Sequence, residues 1–234
     1  MQGAKGYWGF PIETHLHSQA LETVQLIRTN AAAEAGRLSE RAAEVVMKLT
    51  QKGLFAYYEK PTQIVPLSPV MRKTADAGIR AVMGALNMVI KQFFKKRTAD
   101  ELIALAQYIE GMLWAHPIDG QPYLVFKLDA ALHERALALI AQVREDRNRK
   151  AYIDNVIDAL WELVDHGVNY YYEAPTELVD MGGMTRKTAD FGIKTAEKGI
   201  RALIDKLVRE LSYAQLVELS SHIESMIHAH DHSH

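Results

Sequence analysis

Two short polar blocks hold the side chains best suited to chemistry. Tyr57-Tyr58-Glu59-Lys60-Pro61-Thr62 recurs as Tyr171-Tyr172-Glu173-Ala174-Pro175-Thr176, and Arg72-Lys73-Thr74-Ala75-Asp76 recurs as Arg186-Lys187-Thr188-Ala189-Asp190, both at an offset of 114. Tyr, Glu and Asp supply proton donors and acceptors, and Arg and Lys hold anions. The functional reading is one cleft between the two halves, binding a polar or anionic ligand. Its lining would be Tyr58, Glu59, Arg72, Lys73, Asp76, Tyr172, Glu173, Arg186, Lys187 and Asp190. A structural reading competes with it. Arg72 and Arg186 would bridge Glu59 and Glu173, and the tyrosines would cap the core with their hydroxyls outward. Arg72 and Asp76, four apart, share a helix face in either case. The blocks match no catalytic signature, so no residue is assigned a catalytic role.

Metal chemistry has two candidate sources. His17 and His133 match between the halves. With Glu59, Asp76, Glu173 and Asp190 they form the ligand inventory of a di-iron carboxylate bundle, but the Glu-x-x-His pair of such bundles is absent. At the C-terminus, His228, His230, His232 and His234 alternate and could take a divalent metal such as Ni²⁺, Cu²⁺ or Zn²⁺. Cysteine is absent, which excludes thiolate nucleophiles, disulfides and Cys-ligated zinc or iron–sulfur sites.

The blocks belong to a longer repeat. Between residues 53–79 and 167–193, 14 of 27 positions are identical. Leu16-His17-Ser18-Gln19-Ala20-Leu21 resembles Leu132-His133-Glu134-Arg135-Ala136-Leu137 at an offset of 116. The expected organisation is an N-terminal arm (1–11), a first helical repeat (12–117), a linker (118–127), a second repeat (128–227) and a His-rich tail (228–234). The arm, with Tyr7, Trp8 and Phe10, is expected to pack across the domain or onto another subunit.

Each unit reads as four helices. Apolar Leu16, Ala20, Val24 and Ile27 recur at helical spacing over about 13–35. Gly36 should break that helix, and a second should run over about 39–58 until Pro61 stops it. Ser68-Pro69 opens a third, ending in Lys95-Lys96-Arg97. Thr98-Ala99-Asp100-Glu101 is a capping box opening the fourth, repeated by Ser212-Tyr213-Ala214-Gln215. In the second unit a turn near Asp146-Arg147-Asn148 should separate the first two helices. Gly78 and Gly192, inside the third helix of each unit, point to close helix approach or a ligand near the backbone. Only Tyr123–Phe126 is β-prone. The expected fold is all-α: two homologous four-helix units, about eight helices, related by a pseudo-two-fold axis.

The chain has 234 residues, is 48% hydrophobic and carries a net charge of −2, values that suit a packed domain and give no nucleic-acid footprint. Residues 1–117 carry +4 and residues 118–234 carry −6. No segment reads as a signal peptide or membrane span, so a cytoplasmic protein is expected. The functional expectation is a non-catalytic helical binding or scaffold protein, partnered by another protein or a second copy. Two alternatives stand beside it. One is an enzyme or metal protein using the inter-repeat cleft. The other is an amphipathic coat on a membrane or inclusion.

Overall fold

Trp8, Phe10 and Ile12 alternate with Tyr7, Gly9 and Pro11, a period of two that suits a strand with one face buried. In the computed structural model, which describes residues 6–64 and 67–229 apart from the side chains of residues 64, 71, 74 and 229, this segment is strand β1 (Gly6–Pro11). Leu113–Ala115 forms β2 and Pro122–Leu128 forms β3, while Ile227–Ala229 forms β4. All pairs are antiparallel, in the order β2-β3-β1-β4, with Gly9 opposite Val125 at the centre. The molecule is therefore mostly helical, as expected, but not purely so. The segments read as arm and linker supply the two central strands. Strands of three to seven residues carry little local pattern, and while β2 and β3 form a local hairpin, β1 pairs with β3 and β4 across more than a hundred residues.

The run Thr14–Leu54, labelled α1, is a helical hairpin: helical geometry breaks at Glu34 (φ −131°, ψ 27°), and its two arms lie side by side, with Arg41 Nη2 3.0 Å from Glu22 Oε1 and Lys52 paired with Glu13. The break expected at Gly36 is therefore present, close to that position. Pro61, by contrast, does not end the helical path. A π-helical turn, Phe55–Glu59, precedes α2 (Lys60–Ile64), and the Lys60 N–H donates to the Phe55 carbonyl five residues back. The wider turn tolerates the missing proline N–H, which would interrupt a regular α-helix. Then come α3 (Pro69–Phe93) and α4 (Ala99–Glu110). In the second half α5 (Ala130–Glu145) and α6 (Ile153–Val168) are separated where the turn was expected, with a short 3₁₀ turn at Arg149–Ala151. A second π-helical turn, Asn169–Glu173, leads into α7 (Ala174–Thr176), α8 (Gly183–Glu210) and α9 (Tyr213–Glu224). Both capping boxes form. Thr98 Oγ1 accepts from the Glu101 N–H at 3.2 Å, and Ser212 Oγ from the Gln215 N–H at 3.3 Å.

The two long helices α3 and α8 pack on one another. Gly78 lies against Leu203, Val82 against Gly199, and Val89 against Gly192. Numbers fall on one helix as they rise on the other, so the pair is antiparallel. A Cβ on Gly192 would come within 3.2 Å of Val89 Cγ2, so close helix approach explains this glycine. Val89, Ile90 and Phe93 of α3 enter one buried cluster with Ala189 and Ile193 of α8 and with Val24, Ile27 and Leu102 of α1 and α4. The inner faces of both long helices thus share a core. Among the described residues no helix is long and apolar enough to cross a membrane.

Candidate functional site

Each polar block closes on itself. The Tyr58 hydroxyl donates to Asp76 Oδ1 at 2.8 Å, and Arg72 Nε lies 3.7 Å from the same oxygen. Tyr172 donates to Asp190 Oδ1 at 2.6 Å, and Arg186 Nε donates to it at 3.2 Å. The Arg186 guanidinium also stands 5.9 Å from the Tyr172 ring centre. The arginines therefore turn to Asp76 and Asp190 within their own helices, not to Glu59 and Glu173 as expected. A partner four residues along the same helix is nearer than one on the preceding turn. Glu59, Glu173, Lys73 and Lys187 are exposed. Both buried tyrosines are inward-facing, and burial together with the aspartate hydrogen bond pushes their hydroxyls well above the usual tyrosine range. Replacing Tyr58 or Tyr172 with Phe should cost about 1 kcal/mol each in chemical denaturation. A loss indistinguishable from zero would show that the hydroxyls hold nothing.

The Tyr58–Asp76–Arg72 and Tyr172–Asp190–Arg186 clusters do not meet. The α3/α8 register sets Asp190 beside Lys91, fifteen residues along α3 from Asp76. At 1.5 Å per residue the two aspartates stand about 22 Å apart. The expected single cleft is thus two separate clusters at opposite ends of the helix pair.

What does meet, between the π-turns, are the neighbouring tyrosines. The Tyr57 and Tyr171 hydroxyls lie close enough to influence one another's titration, and Trp8 Nε1 donates to the Tyr57 hydroxyl at 3.0 Å. The Tyr171 ring keeps one edge in solvent while its hydroxyl is enclosed, and burial raises its pKa further. Each π-turn also exposes a carbonyl that the other half satisfies. The Tyr108 hydroxyl donates to the Tyr170 carbonyl at 2.8 Å, and His222 Nε2 bonds the Ala56 carbonyl at 3.0 Å.

His222 gives this contact a pH dependence. Burial holds its imidazole below the ordinary histidine value, Lys60 adds to the effect, and the Ala56 carbonyl opposes it. A depressed folded-state value means that the unfolded chain takes up the proton first. The stabilisation is complete above about pH 6.5, the unfolded value, and is lost as the pH falls below it. The melting temperature should therefore fall on acidification through that range, and His222→Gln should flatten part of the fall. An unchanged slope would shift the effect to His17 and His228, which burial also pushes down.

The metal candidates separate. His133 is buried beneath Gly6, and His17 sits on α1, so neither joins the block carboxylates. His228 lies in β4 against Tyr123 and Trp114, while His230, His232 and His234 lie outside the described residues. A cluster the spacing did not single out is Asp129, Glu162 and His166, whose ligand atoms lie within 4.8 Å of one another. Its members are already engaged: His166 Nε2 lies 3.0 Å from Asp129 Oδ2, and Arg135 pairs with Glu162. The matching positions of the first half form the same two links, Glu13 with Lys52 and Lys48 with Gln19. A lysine cannot ligate a metal while charged, so both sets read as ties between consecutive helices. An apolar cavity of about 60 Å³ lies between α5, α6 and α9, walled by Leu132, Leu139, Leu160, Leu163 and Leu219.

No family model, curated protein or solved structure matches the chain.

Proposed function

We propose that the protein is a non-catalytic helical binding or scaffold protein, built from two copies of one helical unit about a pseudo-two-fold axis. The duplicated blocks act as two struts, not as one ligand cleft. The observation that carries this reading is the engagement of Arg72 and Arg186. The two arginines of the expected anion site are paired with Asp76 and Asp190, which in turn accept from Tyr58 and Tyr172. Each strut ties a π-turn to the first turns of α3 or α8 and so fixes how the long helices are presented.

Matched geometry supports the two-copy part. Trp114 pairs with Tyr123 across β2 and β3, and Tyr7 with His228 across β4 and β1, the same register in both. The π-turns, capping boxes, Tyr–Asp bonds and satisfied π-turn carbonyls recur at an offset of 114. The reading is tested by thermal shift of the full chain with inorganic phosphate, pyrophosphate, citrate and a nucleoside triphosphate. No stabilisation is expected from any of them. A stabilisation that disappears in Arg72→Gln with Arg186→Gln would overturn the strut reading and restore an anion site.

A further inference from the structure

Charge in this molecule is sorted by layer. Residues 69–97, which hold α3 and its C-terminal turn, carry seven Lys+Arg against one acid; residues 183–210, which form α8, carry seven against four. Together they amount to +9 in a chain of net −2, leaving −11 for the rest. Because the inner faces of α3 and α8 pack on one core, their outer faces look out on the same side.

The outer faces are stripes at helical spacing. On α8, Met184, Lys187, Phe191, Lys194 and Lys198 are all exposed, three and four residues apart. On α3 the matching run is Lys73, Ala77, Arg80, Gly84, Met88 and Lys91, again all exposed. Among the described residues the cations of these stripes take no carboxylate partner. The acids of the two helices that are partly exposed, Asp76, Asp190, Glu197 and Asp205, each lie against an arginine of the same helix, and Glu210 stands at the far end of α8. Two large apolar side chains belong to the α8 stripe, Met184 at its start, 86% exposed, and Phe191 in its middle, 72% exposed, and Met88 on α3 is 41% exposed.

We infer that the α3/α8 face docks on an anionic lipid bilayer, with Phe191 and Met184 entering the acyl boundary and the lysines seated on the headgroups. The inference rests on the reading of the protein as a binding scaffold and names the surface it binds. Charge complementarity selects an anionic partner. The apolar side chains favour lipid over a nucleic acid, whose phosphates would leave a phenyl ring and a thioether against charge. In a bilayer that mixture is the ordinary pattern of an interfacial helix, with lysine stems extending toward the headgroups. The acidic remainder of the molecule is repelled by the same surface and sets the orientation.

Flotation of the full chain with phosphatidylcholine vesicles, with and without phosphatidylserine, tests this. Binding is expected only with phosphatidylserine and should fall at high salt. Removing each lysine should weaken partitioning about fivefold, so Lys187→Glu with Lys194→Glu should abolish flotation. Met184→Ser with Phe191→Ser should weaken it severalfold at unchanged charge. Both pairs replace exposed side chains, and circular dichroism confirms that they fold. Absence of flotation at low salt overturns the inference, as does flotation indifferent to the lysine reversals. A third outcome is binding to duplex DNA or an acidic polypeptide, lost in the same reversals, with no flotation. It would overturn the lipid assignment and leave the scaffold face standing. Failure of all three ligands would remove the face as well.

Discussion

Arg97→Ala should lower the unfolding free energy by about 3–5 kcal/mol, the range found when one partner of a buried ion pair is removed. The Arg97 side chain is only 5% exposed. Its guanidinium donates to Glu101 Oε1 at 3.0 Å, to the Asp180 carbonyl at 2.8 Å, and to the Lys95 carbonyl at 3.0 and 3.2 Å. Glu101 in turn accepts from the Asp180 N–H at 2.6 Å. One side chain therefore fastens the α3–α4 turn to the loop that leads into α8. Backbone hydrogen bonds from Thr98 and Asp180, with the Arg97 charge, outweigh burial and hold the Glu101 carboxyl below its usual range. Removing the cation leaves that carboxylate without its counter-charge and the Lys95 and Asp180 carbonyls without its donors. The matching position of the second half, Leu211, is a buried leucine, so Arg97→Leu should restore volume and lose less than the alanine variant. Urea denaturation of both reads the difference as a shift in midpoint at constant slope. A loss below about 1 kcal/mol for Arg97→Ala would mean the network is solvated and carries little.

The parts of this fold legible in the sequence are those with local causes. The capping boxes at Thr98 and Ser212 and the start of α3 at Pro69 depend on side chains within four residues. So does the turn after Glu145, where Asp146 Oδ1 accepts from the Asn148 N–H. The sheet was hidden because its strands are short and because β1, which joins β3 to β4, pairs with segments more than a hundred residues away. The π-turns were hidden because one widened turn barely disturbs an apolar period, so Pro61 read as a stop. In the blocks, the Arg–Asp pairs four residues apart were implicit in helix geometry, whereas the Tyr58–Asp76 bond depends on where the chain returns. Charge shows the same limit. Cut by halves, it separates into a mildly basic and a mildly acidic portion. The stronger segregation follows the α3/α8 layer, to which both halves contribute, and emerges only once the antiparallel packing is known.

Gly9→Ala should be the most damaging single-methyl change in the molecule, costing about 3 kcal/mol or more. Gly9 faces Val125 at the centre of the sheet. A Cβ there would stand 2.5 Å from the Leu124 carbonyl oxygen and from Val125 Cγ1, and 3.0 Å from Val125 Cα. Two of these atoms belong to backbone, so no rotamer change relieves the overlap. β1 and β3 must separate, and the strain reaches Trp8, Phe126, Leu128 and Leu132, which pack together on the inner face. Two other glycines calibrate the effect. A Cβ on Gly6 meets the His133 imidazole, a side chain that can shift, so Gly6→Ala should cost less. A Cβ on Gly36 meets nothing within 4 Å, and Gly36→Ala should stabilise the helix by about 0.5–1 kcal/mol. The expected order in thermal melts is Gly36→Ala above the parent, Gly6→Ala below it and Gly9→Ala lowest. If Gly9→Ala melted within a degree or two of the parent, β1 and β3 would not approach as described. The sheet would then lose its place as the junction of the two halves.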